Sequence, residues 1–236
     1  MKSLLQPKPI LLMLLACVMA WSPTAGAQTA PSALDIAGYD GLFSAVVERD
    51  DVRLQSLLVS GTDTDERDSH GRSVLHVAAF LRNHDAIRQL VAAGADPNAL
   101  EGDYYDIATI AAVADDLETL KLALQLGCRA GNITSRYEGT ALIAAAHLGH
   151  VEVVETLIAA GAPLDHVNNL GWTALIESIV LGDGGARHTA TLKALVDGGA
   201  DVNLTDGRGT SPLQLARAHG YTAMVEILVA AGARVS

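Results

Sequence analysis

Residue types able to do chemistry recur along this 236-residue chain, and their spacing decides what they can do. The stretch Gly182-Asp183-Gly184-Gly185-Ala186-Arg187-His188-Thr189 sets three glycines beside an acid, a guanidinium and an imidazole, the composition of a phosphate-cradling loop. Such loops need a setting. A P-loop follows a buried strand and ends in Lys-Ser/Thr at a helix start, and a dinucleotide loop reads G-x-G-x-x-G after a strand. Neither pattern surrounds these residues. Eight histidines raise the question of a metal, and His147 and His150 are spaced i, i+3, yet no Asp, Glu or Cys completes a tetrahedral set with them. No G-x-S-x-G occurs, and no acids fall in register on one face, so nothing supports a nucleophile-base-acid triad. The expectation is no catalytic residue, no cofactor and no metal.

The N-terminus carries Lys2 and Lys8, the apolar run Ile10 to Trp21, and then Ala25-Gly26-Ala27. That is the layout of a cleaved secretory signal, with Gln28 as the mature N-terminus. The run is too short to span a bilayer, which takes about 20 apolar residues. A lipoprotein anchored at Cys17 is the alternative, disfavoured because the chain stays apolar beyond that cysteine. Export places the protein in the periplasm or outside the cell. Loss of residues 1–27 removes two of the 16 basic residues and none of the 27 acids, leaving a formal charge of 14 − 27 = −13. Such a surface repels nucleic acid and anionic lipid. Only Cys128 survives cleavage, so no intramolecular disulfide can form and stability must come from apolar packing.

The elements that carry these residues repeat. Gly61, Gly94, Gly127, Gly161, Gly199 and Gly232 each close an amphipathic segment, at spacings of 33, 33, 34, 38 and 33 residues. Within 139–162, Leu142, Ala145 and Ala146 mark one helix face, Gly149-His150 breaks the helix, and Val153, Val154, Leu157 and Ile158 stripe a second helix. Gly161 then sits where a left-handed C-cap residue belongs. One two-helix unit cannot bury its stripe alone, so neighbours must cover it, and truncating Leu157 to alanine should cost about 2–5 kcal/mol.

Val74-Leu75-His76 and Ser211-Pro212-Leu213 stand where a T-P-L-H motif would, joined by the Gly149-His150 turn and the segments Gly94-Ala95-Asp96-Pro97-Asn98 and Gly199-Ala200-Asp201-Val202-Asn203. On these residues the chain resembles the ankyrin-repeat family from about Leu34 to its end. The resemblance implies an all-α solenoid of about six helix-turn-helix units with short β-hairpin or turn tips, stacked into an L-shaped slab with a concave face. The units fall at approximately 36–68, 69–101, 102–134, 135–168, 169–206 and 207–236, a single domain after residue 27. It also implies that His76 and His150 brace adjacent repeats, and that Cys128 is a small packed residue. In the third unit Tyr104-Tyr105-Asp106-Ile107-Ala108 replaces the glycine and T-P-L run and Asp115-Asp116 replaces the Gly-His turn, so a distorted hairpin tip is expected there.

Ankyrin-like proteins hold partners with hairpin tips and with the two variable residues before the inter-helix turn. Those pairs are Phe80-Leu81, Val113-Ala114, His147-Leu148 and Val180-Leu181, a mostly apolar stripe. Arg72, Tyr104, Tyr105, Tyr137, Trp172 and Arg208 add aromatic and guanidinium groups at the tips, the side chains enriched in interface hot spots. The register places Gly182-Asp183 on the regular turn and leaves Gly184 to His188 as an insertion, expected to protrude flexibly from the edge opposite the tips. The leading expectation is a monomeric, non-enzymatic, exported module that binds one protein partner. The alternatives are an accessory or immunity-type factor acting on an exported enzyme, and a ligand or catalytic site at the insertion using Asp183, Arg187 and His188.

Overall fold

The computed structural model describes residues 28–234. Among them are thirteen helices and no strand, with backbone pairing confined to the isolated bridges Arg67–Ser73 and Thr134–Gly139. The expected export leader and Cys17 lie outside the described residues. A short α1 (Ala33–Gly38) precedes six helix pairs: α2 (Gly41–Glu48) with α3 (Asp51–Val59), α4 (Val74–Phe80) with α5 (His84–Ala92), and α6 (Ile107–Val113) with α7 (Leu117–Gln125). They continue as α8 (Ala141–Leu148) with α9 (Val151–Ala159), α10 (Ala174–Val180) with α11 (Ala186–Asp197), and α12 (Pro212–Ala218) with α13 (Thr222–Ala230). The first helices of the pairs stack on one another in chain order, and the second helices form a parallel layer behind them.

Local chemistry fixes each start. Asp106, Thr140, Thr173 and Ser211 end the inter-unit loops and accept a backbone N–H from the first turn of α6, α8, α10 and α12, caps worth about 1 kcal/mol each. Asp50, Asn83 and Asp116 do the same for α3, α5 and α7. The apolar stripes then meet across units: Leu42, Leu75, Leu142, Leu175 and Leu213 in the first layer and Leu90, Leu120, Leu157, Leu195 and Leu228 in the second are all buried. Val153 and Val154 are buried with Leu157, and Ile158 packs half-buried against them.

The third unit does not have the distorted tip its sequence suggests. Glu101 N donates to Tyr105 O at 3.0 Å, the same closure that joins Asp68 to Arg72, Asn168 to Trp172 and Asp206 to Thr210. Tyr104 takes the left-handed conformation (φ 66°) that glycine takes in those other tips. The irregular tip belongs to the fourth unit, where Thr134 pairs with Gly139 and one extra residue is accommodated by Ser135 and Glu138 at positive φ. That extra residue is the source of the 34-residue spacing.

The insertion is not a loose protrusion either. Gly184 and Gly185 turn the chain, and Ala186-Arg187-His188 become the first turn of α11, which has 12 residues where the other second helices have nine. Arg187 Nε donates to Gly149 O at 3.1 Å and its Nη2 reaches Asp115 Oδ2 at 2.9 Å. His188 Nε2 donates to His147 O at 3.0 Å, while Nδ1 lies 2.8 Å from Asp183 Oδ1. From the sixth unit, the Tyr221 hydroxyl donates to Gly182 O at 2.9 Å. Gly184 has φ +68°, and a Cβ on it would overlap the Tyr221 ring, so both backbone conformation and packing demand glycine. The expected flexibility fails because Arg187 and His188 bond the third and fourth units and Asp183 holds His188 and the Gly185 N–H within the turn.

Candidate functional site

The side chains expected to bind fall into two groups. Arg72 is fully buried and is corrected from a contact residue to a structural one. Its guanidinium donates to Asp68 Oδ2 at 2.7 Å, Asp35 Oδ2 at 3.0 Å and Thr29 O at 2.9 Å. The N-terminal segment therefore covers it: residues 28–39 lie across the second and third units, with Gln28 Nε2 on Thr109 O at 2.9 Å and the Tyr39 hydroxyl on Asp68 at 2.7 Å. Sequence spacing places Arg72 at a tip but carries no sign that a segment from 33 or more residues away closes over it. Tyr105 is also corrected, being buried at the base of the third tip rather than exposed. Phe80 and Leu81 are half-buried against the core. Val113, Tyr137, His147, Trp172, Val180 and Leu181 are half-buried, and Tyr104, Ala114, Leu148 and Arg208 are exposed. In the insertion, Asp183 and Arg187 are exposed but bonded within the fold, and His188 is half-buried.

Three further apolar side chains join this face that the expected positions omit. Ile133, Val167 and Leu170 flank the fourth and fifth tips and, with Tyr104, are 41–55 % exposed. Ile133 and Val167 each immediately precede the residue that opens its tip, Thr134 or Asn168, and that shared register is the available sequence signal. The tips are tied together. Ser135 N donates to Tyr104 O at 2.8 Å, Asn169 N to Tyr137 O at 3.0 Å, His166 Nε2 to Glu138 O at 2.6 Å, and Arg136 pairs with Asp103 at 2.8 Å. A row already held in register loses little freedom when a partner docks.

Beneath these tips lies a carboxyl that sequence inspection passes over. In units two to six the fourth residue of the first helix is Val77, Ile110, Ala144, Glu177 and Leu215, so Glu177 stands alone as an acid in an apolar column. It is 5 % exposed. Asn168 Nδ2 donates to its Oε1 at 2.8 Å, and His147 Nδ1 lies 3.7 Å from Oε2. Burial pushes the Glu177 carboxyl up to about 7, against the lowering effect of Asn168. Burial, then the neighbouring His188 and His150, holds His147 below the ordinary histidine value.

The remaining reactive types are absorbed by the scaffold. Ser73 N donates to His76 Nδ1 at 3.2 Å, which leaves Nε2 to donate to Ala99 O at 3.0 Å in the loop to the third unit. His150 Nδ1 donates to Ala112 O at 2.8 Å, back toward the third unit. Cys128 is buried beside Asp106, and burial pushes its thiol up, the opposite of an activated nucleophile. Among the described residues no group of three His, Cys, Asp or Glu is placed to hold a metal, and no helix is long and apolar enough to cross a membrane.

Comparison with known proteins agrees with this architecture. The family model for ankyrin repeats in three copies matches residues 108–206, and the single ankyrin repeat matches residues 70–101. The ankyrin repeat protein YahD of Escherichia coli (strain K12) is 32% identical over 186 residues, which cover 77% of this chain and 90% of YahD. Among solved structures, an ankyrin repeat domain from Acinetobacter baumannii AYE superposes with a TM-score of 0.77 at 41% identity, covering 82% of this chain and 98% of that one. A chain of the complex between the predatory endopeptidase Bd0816 of Bdellovibrio bacteriovorus and the immunity protein Bd3460 gives a TM-score of 0.67 at 20% identity, covering 81% and 98%. At that identity the likeness is one of fold alone.

Proposed function

This chain belongs to the ankyrin-repeat family, whose repeats serve as protein-protein interaction modules, and from that premise we propose that it is a non-enzymatic, exported binder of one partner protein. The observation that carries the reading is the row of exposed apolar side chains at the tied tips of units three to five, Tyr104, Ile133, Val167 and Leu170, with Leu148 also exposed at the end of α8. Exposed apolar area in a rigid, continuous row is what marks a binding face rather than scattered surface residues. The remaining groove pairs, Val180 and Leu181 above all, supply half-buried area beside it. Export rests on the pattern of residues 1–27, and a protein recovered from the periplasm should begin at Gln28.

Affinity capture with the mature protein tests the face. Trp172→Ala and Leu148→Glu should each abolish capture of the same partner while leaving the circular dichroism spectrum unchanged. Retention of that partner by both folded variants would refute the assignment. An accessory or immunity-type role toward an exported enzyme is the finer form of the same proposal. It adds the expectation that the captured partner is an enzyme whose turnover changes when the protein is added.

A further inference from the structure

Glu177 is held as a recognition group would be. At the hairpin position it touches, the second and sixth units carry Asp68 and Asp206, whose Oδ1 atoms accept the backbone N–H groups of the tip: His70 and Arg72 in one case, Arg208 and Thr210 in the other. Asn168 does the same work with Oδ1, accepting from Leu170 and Trp172 at 3.0 Å each. An aspartate there would set a second acceptor against the glutamate. Asparagine keeps the tip and supplies an N–H in its place, so the pair Asn168 and Glu177 is matched.

The match is one-sided. Oε1 is satisfied, while among the described residues Oε2 accepts no hydrogen bond and has only the His147 ring at 3.7 Å, and none of their lysines or arginines pairs with the carboxyl. A carboxyl nine-tenths removed from water and lacking a cation costs stability unless something else supplies one. His147 is poorly suited to that role, because burial, then His188 and His150, disfavours the charged form of its ring. Its ring is 42% exposed at the solvent edge, beside the exposed Leu148.

Building on the groove reading above, we infer that Glu177 is the anchor point for a cationic side chain, lysine or arginine, presented by the protein partner. The head group bonds Oε2 at the position His147 borders, and its aliphatic stem lies along Leu148 and Val180. Selectivity then has a simple source. An apolar groove discriminates poorly among apolar segments, whereas a fixed, desolvated carboxyl rejects a partner that lacks the cation. The excess of 27 acids over 16 basic residues steers a basic partner toward the same surface.

The test is a nuclear magnetic resonance titration of the full mature chain with N-acetyl-arginine amide, N-acetyl-lysine amide, and the neutral N-acetyl-citrulline and N-acetyl-norleucine amides. The carbonyl carbon of Glu177 and the methyl groups of Leu148 and Val180 are followed in the wild type and in Glu177→Gln. The cationic probes should shift all three residues saturably and bind at least tenfold more tightly than citrulline amide, with that preference lost in Glu177→Gln. Equal binding of arginine and citrulline amides to the wild type would overturn the inference without recourse to any variant. If norleucine amide still moves Leu148 and Val180 equally in both proteins, the groove stands and the anchor falls. If no probe moves either methyl group, both readings fall together.

Discussion

Replacing Glu177 by glutamine should stabilise the protein increasingly as pH rises, and the size of the effect can be worked out. The folded carboxyl titrates at about 7 against an ordinary value of 4.5, and burial is the largest cause. A group whose folded value is raised contributes its full stability below the unfolded value and loses it as pH climbs through the folded one. The window is therefore pH 4.5 to 7, and the gap at about 1.4 kcal/mol per pH unit amounts to about 3 kcal/mol. Glutamine does not titrate, and its side-chain oxygen still accepts from Asn168. Urea unfolding of both proteins at intervals from pH 4 to 8 gives the stability difference at each pH, and any constant offset between amide and acid cancels along that curve. The difference should rise by about 3 kcal/mol in favour of glutamine and level off above pH 7. A curve flat to within about 0.5 kcal/mol, the usual effect of an open surface substitution, would show a solvated carboxyl and remove the basis for treating Glu177 as a recognition group.

Further outcomes follow from other positions. His76 is held down to about 4 by burial, so stability present above pH 6.5 should fall by about 3 kcal/mol as pH drops toward 4, and His76→Gln should lose that acid-side slope in the same unfolding series. Gly184→Ala combines positive φ with overlap on the Tyr221 ring and should cost about 1–3 kcal/mol, read as a lower urea midpoint at unchanged slope; a neutral result would mean the insertion is not docked. Arg72→Met strips the partner from two carboxylates and should cost about 3–5 kcal/mol by the same measurement, whereas an exposed tip arginine would cost almost nothing.

The periodic part of the molecule was readable because it depends on short-range rules. A glycine every 33 or so residues, a capping residue before each first helix and an apolar stripe on each second helix all leave marks in a window of one unit. The tip at Tyr104 was misjudged, and the irregular one at Glu138 passed over, because non-glycine residues can take positive φ when their surroundings hold them there, and no local pattern announces which will. The burial of Arg72 and the docking of Arg187 escaped notice for a different reason. Their partners, Thr29 and Asp35 for one and Asp115 for the other, lie 37 to 72 residues away, so neither could be judged from the unit alone. Glu177 was passed over because an acid in an apolar column gains its meaning only once Asn168 is seen against it.

The docked insertion alters how the array should come apart. Repeat arrays ordinarily couple each unit only to its immediate neighbours, so an end unit can melt without consulting the middle. Here Arg187 links the fifth unit to the third, and Tyr221 pins the sixth to the same turn. A link that skips a unit penalises any state in which one member of the group is open while the others stay closed. Amide hydrogens of α13 should consequently exchange at rates close to those of α7 through α11, in place of the graded fraying toward the terminus that a strictly nearest-neighbour stack would give.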